Sequence, residues 1–164
     1  MSDSNAIPVM GINHAVLYVR DAQASSRFYQ AAFDFEVVGE MGSSAVFLKA
    51  RNGTNHHDLG LFSVGANAAP LAPHRVGLYH LAWEVPTIDD LAAARAHLVE
   101  LGALVGESDH GVSKSLYAHD PDGNEFEVMW TAPPETWGDA ATGAKVERLD
   151  IGAEVARFGE RAAR

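Results

Sequence analysis

Hydrophobic and polar positions along the chain follow the two-residue period of strands in some segments and the helical period in others, and the two kinds of segment succeed each other in a regular order. Residues 12–19 have the composition of a strand, and from Asp21, a residue type that caps helices, the period becomes helical. The apolar stripe of this helix is predicted from Phe28, Ala32 and Phe33. Strand candidates follow at 35–38, 44–48 and 58–62, separated by turn-forming residues. The first half of the chain therefore predicts a βαβββ order.

The second half repeats this order. Residues 79–85 are typical of a strand, and Thr87 with Asp90 forms a capping box that opens a helix, which Gly102 can end. The apolar face of that helix is predicted to contain Leu91, Ala94, Leu98 and Leu101. Three more strand candidates follow, the last at 126–130. A shift of 66 residues superposes His80 on His14 and Val85 on Val19, so the pattern indicates an internal duplication.

The duplicated modules, at about 8–64 and 77–131, set the expected fold. A chain of 164 residues with 47% hydrophobic content favours one domain, predicted here over 1–131. We expect an α+β fold in which the two modules combine their sheets into a partly open mixed β-barrel around a cavity. The remaining segment, 132–164, is predicted to be a C-terminal extension with a weak helical pattern.

Three polar residues are predicted to face that cavity. His14, His80 and Glu127 alternate with apolar neighbours on their strands, so they lie on the opposite face. A buried glutamate needs a partner for its charge. The 66-residue shift places Leu61 at the position equivalent to Glu127, so the two halves are chemically unequal.

Composition narrows the classes of partner. A formal net charge of −10 argues against nucleic acid or an anionic membrane surface as the partner. The absence of cysteine excludes disulfides, thiolate zinc sites and a cysteine nucleophile. The N-terminal residues lack the layout of a signal peptide, and no apolar run approaches a membrane span. We therefore expect a soluble cytoplasmic protein whose partners are small molecules or other proteins.

The motifs NHAVLYVRDAQASSRFY and DPDGNEFEV, together with the paired modules, resemble the vicinal oxygen chelate superfamily over residues 8–131. This superfamily contains glyoxalases, epimerases, antibiotic-resistance proteins and extradiol dioxygenases, so the fold alone does not name the reaction. The resemblance implies a shared metal for His14, His80 and Glu127. Two histidines and a carboxylate form a facial triad that suits Fe(II), with Mn(II) as the alternative ion, and leaves positions open for substrate and oxygen.

A closer resemblance is to the single-domain form of the type I extradiol dioxygenases, which cleave catechols. That family has a histidine, a hydrophobic residue with tyrosine, a Pro-x-Gly turn and the ligand glutamate in fixed order. Here they are His110, Leu116-Tyr117, Pro121-Asp122-Gly123 and Glu127. His57-Asp58 is similar to the segment that supplies the acid/base histidine.

This resemblance implies a role for each further residue. His57 would move protons, Tyr117 would orient a ring oxygen, and His110 would act outside the metal ligands, toward oxygen or substrate. The implied partners are a small aromatic diol, O₂ and other copies of the chain, in a dimer or larger homo-oligomer. Two alternatives stay open: another metal-dependent, glyoxalase-like isomerase or lyase, and a non-catalytic protein that binds a small molecule.

Overall fold

The fold is described from a computed structural model, in which residues 6–72 and 76–160 are described. The chain divides between Ala68 and Ala69 into two compact units, called unit 1 and unit 2 below. None of the helices in the described ranges combines the length and the apolar character needed to cross a membrane.

Unit 1 is a βαβββ module. Its elements are β1 (Ala15–Val19), α1 (Ala22–Phe33), β2 (Glu36–Glu40), β3 (Ala45–Lys49) and β4 (Leu59–Ser63). The sheet order is β1-β4-β3-β2, in which β1 and β4 are parallel and the other pairs are antiparallel. The predicted cap of α1 is present, because the Asp21 carboxylate accepts hydrogen bonds from the backbone N–H groups of Gln23 and Ala24 at 2.9 and 3.0 Å.

The buried face of α1 differs from the predicted stripe. Tyr29 is 1% exposed, whereas Phe28, Ala32 and Phe33 are only half-buried. Around Tyr29 the buried helix residues are small: Ala22, Ser25 and Ser26. Small side chains let the helix backbone approach the sheet closely, so packing favours this face over the more apolar one.

Unit 2 repeats the topology. Its elements are β5 (Leu81–Glu84), α2 (Ile88–Glu100), β6 (Leu104–Asp109), β7 (Ser113–His119) and β8 (Glu125–Thr131). The sheet order is β5-β8-β7-β6, with β5 parallel to β8. The Thr87 cap of α2 is present, because Thr87 Oγ1 accepts a hydrogen bond from the Asp90 N–H at 3.0 Å, and the Asp90 carboxylate accepts from the Thr87 hydroxyl at 2.7 Å. Gly102 follows α2 with φ +65°, a conformation that glycine adopts without strain.

The expected fold class is therefore confirmed: the chain is α+β, with two tandem βαβββ modules. Within the described residues the two four-stranded sheets are separate in their hydrogen bonding. The segment after β8 contains two 3₁₀ turns and the helix α3 (Ile151–Phe158). This helix is shorter than the segment over which the sequence has a helical pattern.

Candidate functional site

A tight turn leads into β8 and fixes the position of Glu127. The Asp120 carboxylate accepts hydrogen bonds from the N–H groups of Asp122 and Asn124, both at 2.9 Å, and Gly123 adopts φ +85°. On β8, Phe126 and Val128 are buried on one face, and Glu127 lies on the other. The strand register places Tyr117 of β7 directly opposite Glu127, so two predicted site residues share this face.

His80 lies between two glutamates of β8. Its Nε2 atom is 3.1 Å from Glu127 Oε2, and its Nδ1 atom is 3.4 Å from Glu125 Oε1. Only 25% of the His80 side chain and 11% of the Glu127 side chain are exposed. Buried atoms without a hydrogen-bond partner are uncommon, yet in the described part of the chain His80 Nδ1 and Glu125 Oε1 are two such atoms. The imidazole is thus flanked on both edges by carboxylate oxygens.

This arrangement fits a metal ion held between His80 and Glu127. Two ligand atoms at about 2.1 Å from one ion and at a right angle to each other are about 3.0 Å apart. The 3.1 Å separation of His80 Nε2 and Glu127 Oε2 matches that value. Metal-bound histidines usually donate their other ring N–H to a carboxylate, and Glu125 stands where such an acceptor is needed. An imidazole nitrogen and a carboxylate oxygen are ligands that Fe(II) and Mn(II) accept.

Tyr117 and His110 form a hydrogen-bonded pair in the same unit. The Tyr117 hydroxyl is 2.9 Å from His110 Nε2, and the rings of Tyr117 and His80 are 5.7 Å apart. Burial raises the pKa of Tyr117, and the negative charge of Glu127 raises it further. Tyr117 therefore stays protonated at neutral pH and keeps a proton to donate.

His14 is held by amides in unit 1. Its Nδ1 atom is 2.9 Å from Asn13 Oδ1, and because an amide oxygen only accepts, Nδ1 carries the proton. Asn13 is fixed in turn by Asn55, whose side-chain NH₂ donates to the Asn13 carbonyl at 2.8 Å. The Nε2 atom of a neutral His14 therefore has a lone pair available for a metal.

His57 packs beside His14. The two ring centroids are 4.5 Å apart, and His57 Nδ1 is 3.1 Å from His56 Nδ1. Burial lowers the pKa of His57, and the neighbouring imidazoles of His14 and His56 lower it further because a second positive charge is unfavourable there. His57 is thus neutral at pH 7 and able to accept a proton.

Four of the six predicted site residues lie in unit 2, where His80, Glu127, Tyr117 and His110 are brought together. His14 and His57 are brought together in unit 1. Across residues 6–72 and 76–160, no group of three His, Asp or Glu side chains is assembled as a metal site. The three-ligand set, which draws on both units, stays a prediction.

The sequence interpretation missed three polar neighbours of the predicted site residues, two of which the sequence itself indicates. Glu125 lies two residues before Glu127, so strand alternation already placed both on one face. Asn13 directly precedes His14, and an amide next to a candidate ligand is a usable signal. The neighbour that no sequence signal identifies is the backbone carbonyl of Lys145, which lies 3.0 Å from His110 Nδ1.

Comparisons with known proteins agree with this fold. A solved structure of a glyoxalase/dioxygenase from Nostoc punctiforme matches with a TM-score of 0.65 at 19% identity, and covers 81% of this chain and 100% of that one. Catechol-2,3-dioxygenase of Bacillus subtilis (strain 168) is 33% identical over 127 residues, which are 77% of this chain but 43% of that protein. The chain thus spans less than half the length of this relative.

A second curated relative is matched over more of its length. Biphenyl-2,3-diol 1,2-dioxygenase 3 of Rhodococcus globerulus is 32% identical over 143 residues, which are 85% of this chain and 74% of that protein. Residues 11–128 also match the sequence profile named Glyoxalase. The chain therefore belongs to the glyoxalase/bleomycin resistance protein/dioxygenase superfamily.

Proposed function

We propose that the protein is an Fe(II)-dependent extradiol dioxygenase, which cleaves the ring of a catecholic substrate with O₂. The observation that carries this proposal is the approach of His80 Nε2 to Glu127 Oε2, at 3.1 Å, beside the Tyr117–His110 pair. The names of the two curated relatives, a catechol dioxygenase and a biphenyl-diol dioxygenase, support the same reaction class.

In this proposal His80, Glu127 and His14 hold the iron, and Mn(II) is the alternative ion. The donor set of two imidazoles and one carboxylate is that of the facial triad in non-haem Fe(II) oxygenases. When bound, the ion supplies Lewis acidity and redox chemistry at positions open to the diol and to O₂.

His57 is proposed to remove one phenolic proton of the diol and to return a proton as the ring opens. Its lowered pKa keeps it neutral at pH 7, which is the form that can act as a base. The product is a ring-opened semialdehyde of the muconic type that contains both atoms of O₂. The proton that His57 takes from the diol is returned to the product, and no reductant other than the diol is needed.

Tyr117 is proposed to orient a ring oxygen of the substrate by hydrogen bonding. His110 is proposed to fix the position of the Tyr117 hydroxyl. The raised pKa of Tyr117 keeps its hydroxyl in the neutral form, and His110 Nε2 is the atom bonded to that hydroxyl. Tyr117 lies directly opposite Glu127 in the β7–β8 register, and His110 is hydrogen-bonded to its hydroxyl.

The test is turnover by protein loaded with Fe(II) under anaerobic conditions. The loaded protein is mixed with a panel of simple, bicyclic and carboxylated catechols, and then with oxygen. We expect at least one catechol to give a yellow ring-opened product with consumption of one O₂ per product. Iron-free protein and a His80→Ala variant are the controls, and both are expected to be inactive.

Two results would replace the proposal. Turnover of a hemithioacetal or an epimerisable acid, without oxygen uptake across the whole catechol panel, would assign an isomerase or lyase reaction. Tight binding of an aromatic compound without turnover of any substrate class would assign a binding protein.

A further inference from the structure

The C-terminal extension, residues 132–160 of the described chain, contacts the turn between β6 and β7 that carries His110. It lies beyond the segment matched to the superfamily, which ends at residue 128. Within it, Glu147 forms a β-bridge with Asp109 at the end of β6: each backbone N–H donates to the other residue's carbonyl at 2.9 Å. This bridge aligns the extension with the residues that follow Asp109.

The bridge brings the Lys145 carbonyl to His110. The oxygen lies 3.0 Å from His110 Nδ1, and because a carbonyl oxygen can only accept, Nδ1 must carry the proton. A neutral imidazole protonated on Nδ1 has its lone pair on Nε2. The Tyr117 hydroxyl, 2.9 Å from Nε2, is then the donor of that second hydrogen bond. A continuous hydrogen-bonded path joins the extension to Tyr117.

Several contacts hold the extension in this place. Lys114, with a side chain 4% exposed, lies with its Nζ atom 2.6 Å from Asp109 Oδ1 and 3.5 Å from Glu154 Oε2 of α3. Gly111 permits a close approach of the chain, since a Cβ at this position would overlap the Cβ of Ala140. A buried lysine is costly to leave without a carboxylate partner, and Glu154 supplies one of the two partners of Lys114 from the extension, so these contacts favour a docked extension.

We propose that the C-terminal extension is a positioning element of the site: through the Lys145 carbonyl it selects the Nδ1-protonated tautomer of His110 and aims Nε2 at Tyr117. The Tyr117 hydroxyl proton is then directed to His110, and the lone pairs of its oxygen are left to accept a hydrogen bond from the diol. The tautomer of His110 is inferred from contacts within unit 2 alone. Its expected effect on turnover rests on the proposed dioxygenase function.

If the extension leaves its place, His110 loses its acceptor at Nδ1. The imidazole can then carry its proton on Nε2, and in that form Tyr117 has to accept rather than donate. The hydroxyl proton of Tyr117 then points toward the substrate position, so Tyr117 can no longer direct its lone pairs at the diol hydroxyl, and the hydrogen bond proposed for the docked form is lost. Groups that orient a functional histidine typically contribute roughly 10- to 100-fold to activity or affinity.

The test compares two substitutions in neighbouring residues of the full chain. Ala140→Leu adds bulk where the extension meets Gly111, and Ala141→Leu makes the same change at an exposed position and is the matched control. Undocking is measured by amide hydrogen exchange at Glu147, and the His110 tautomer by ¹⁵N NMR of its ring nitrogens. A third variant, Glu147→Pro, deletes the N–H that donates to Asp109.

In the parent protein and Ala141→Leu we expect a protonated Nδ1 and an unprotonated Nε2 at His110. In Ala140→Leu and Glu147→Pro we expect mixed tautomers and roughly 10-fold lower kcat/KM for a catechol, with the metal content unchanged. A parent protein protonated on Nε2, or unchanged His110 resonances in Glu147→Pro, would overturn the inference. The NMR result does not depend on turnover, so an inactive protein with the expected tautomer would reject the dioxygenase proposal and keep this one.

Discussion

The Nε2 atom of His80 lies 3.1 Å from Oε2 of Glu127, and both side chains are largely buried against the second sheet. His80 directly precedes β5 and Glu127 belongs to β8, and these strands pair in parallel although 47 positions separate the two residues. A parallel pair of this kind brings residues from distant parts of the chain to one point. The predictions below depend on this pair or on its neighbours.

Removal of the His80 and Glu127 side chains is expected to abolish metal binding. A His80→Ala, Glu127→Ala double variant should lose the roughly one divalent metal per chain expected of a facial triad, because two of the three ligands are deleted. Elemental analysis of parent and variant purified with iron available is the measurement. Full metal content in the double variant would show that other residues hold the ion.

Glu125 is expected to strengthen metal binding through His80. Glu125→Gln keeps the shape of the side chain but removes the charge next to His80 Nδ1, and should weaken affinity roughly 10- to 100-fold. Titration with Mn(II), followed by EPR, measures the affinity without any need for turnover. Glu84→Gln, a change on β5 where the carboxylate accepts from Thr131 Oγ1 at 2.7 Å, is the control and should bind metal as the parent does.

His57 is expected to act in proton transfer and not in metal binding. His57→Phe should retain the metal and lose roughly 10²- to 10⁴-fold in turnover, the usual contribution of a general acid or base. Tyr117→Phe should lose less, because only an orienting hydrogen bond is removed. Metal content and kcat are measured on the same preparations. Parent-like turnover by His57→Phe would assign the proton transfer to another residue.

The Arg95–Glu107 pair is expected to stabilise the fold at neutral but not at acid pH. The hydrogen bond from Arg95, at 2.6 Å, lowers the pKa of Glu107. A carboxyl whose pKa is lowered on folding contributes stability above its ordinary pKa, about 4.3, and loses it as the pH falls through the lowered value. Arg95→Met should therefore lower the free energy of unfolding at pH 7 by about 0.5 kcal/mol, a modest figure because the Arg95 side chain is 37% exposed.

Urea denaturation of parent and Arg95→Met at pH 7 and at pH 3 is the measurement. The difference between the two proteins should shrink as the pH falls through the lowered pKa of Glu107, because the carboxyl then takes up a proton. A difference of equal size at both pH values would mean that packing of the Arg95 side chain, rather than its charge, supplies the stability.

Local features of the fold were predictable from the sequence because short-range physics decides them. The Asp21 cap, the Thr87 cap and the turn at Asp120 each join residues within four positions, and each forms as expected. Alternation on β8 also placed Glu127 and Phe126 on opposite faces of the strand, since successive side chains of a strand point to opposite faces. The 66-residue repeat was likewise sufficient to predict two modules of equal topology.

Contacts between distant segments were decided only by the tertiary structure. The buried face of α1 centres on Tyr29 because packing against the sheet selected small neighbours over apolar ones. Glu125 meets His80 through the parallel register of β5 and β8, and register depends on burial of whole strand faces rather than on any short motif. The Lys145 carbonyl reaches His110 across 35 positions, and a backbone group carries no side-chain identity by which a sequence could reveal it.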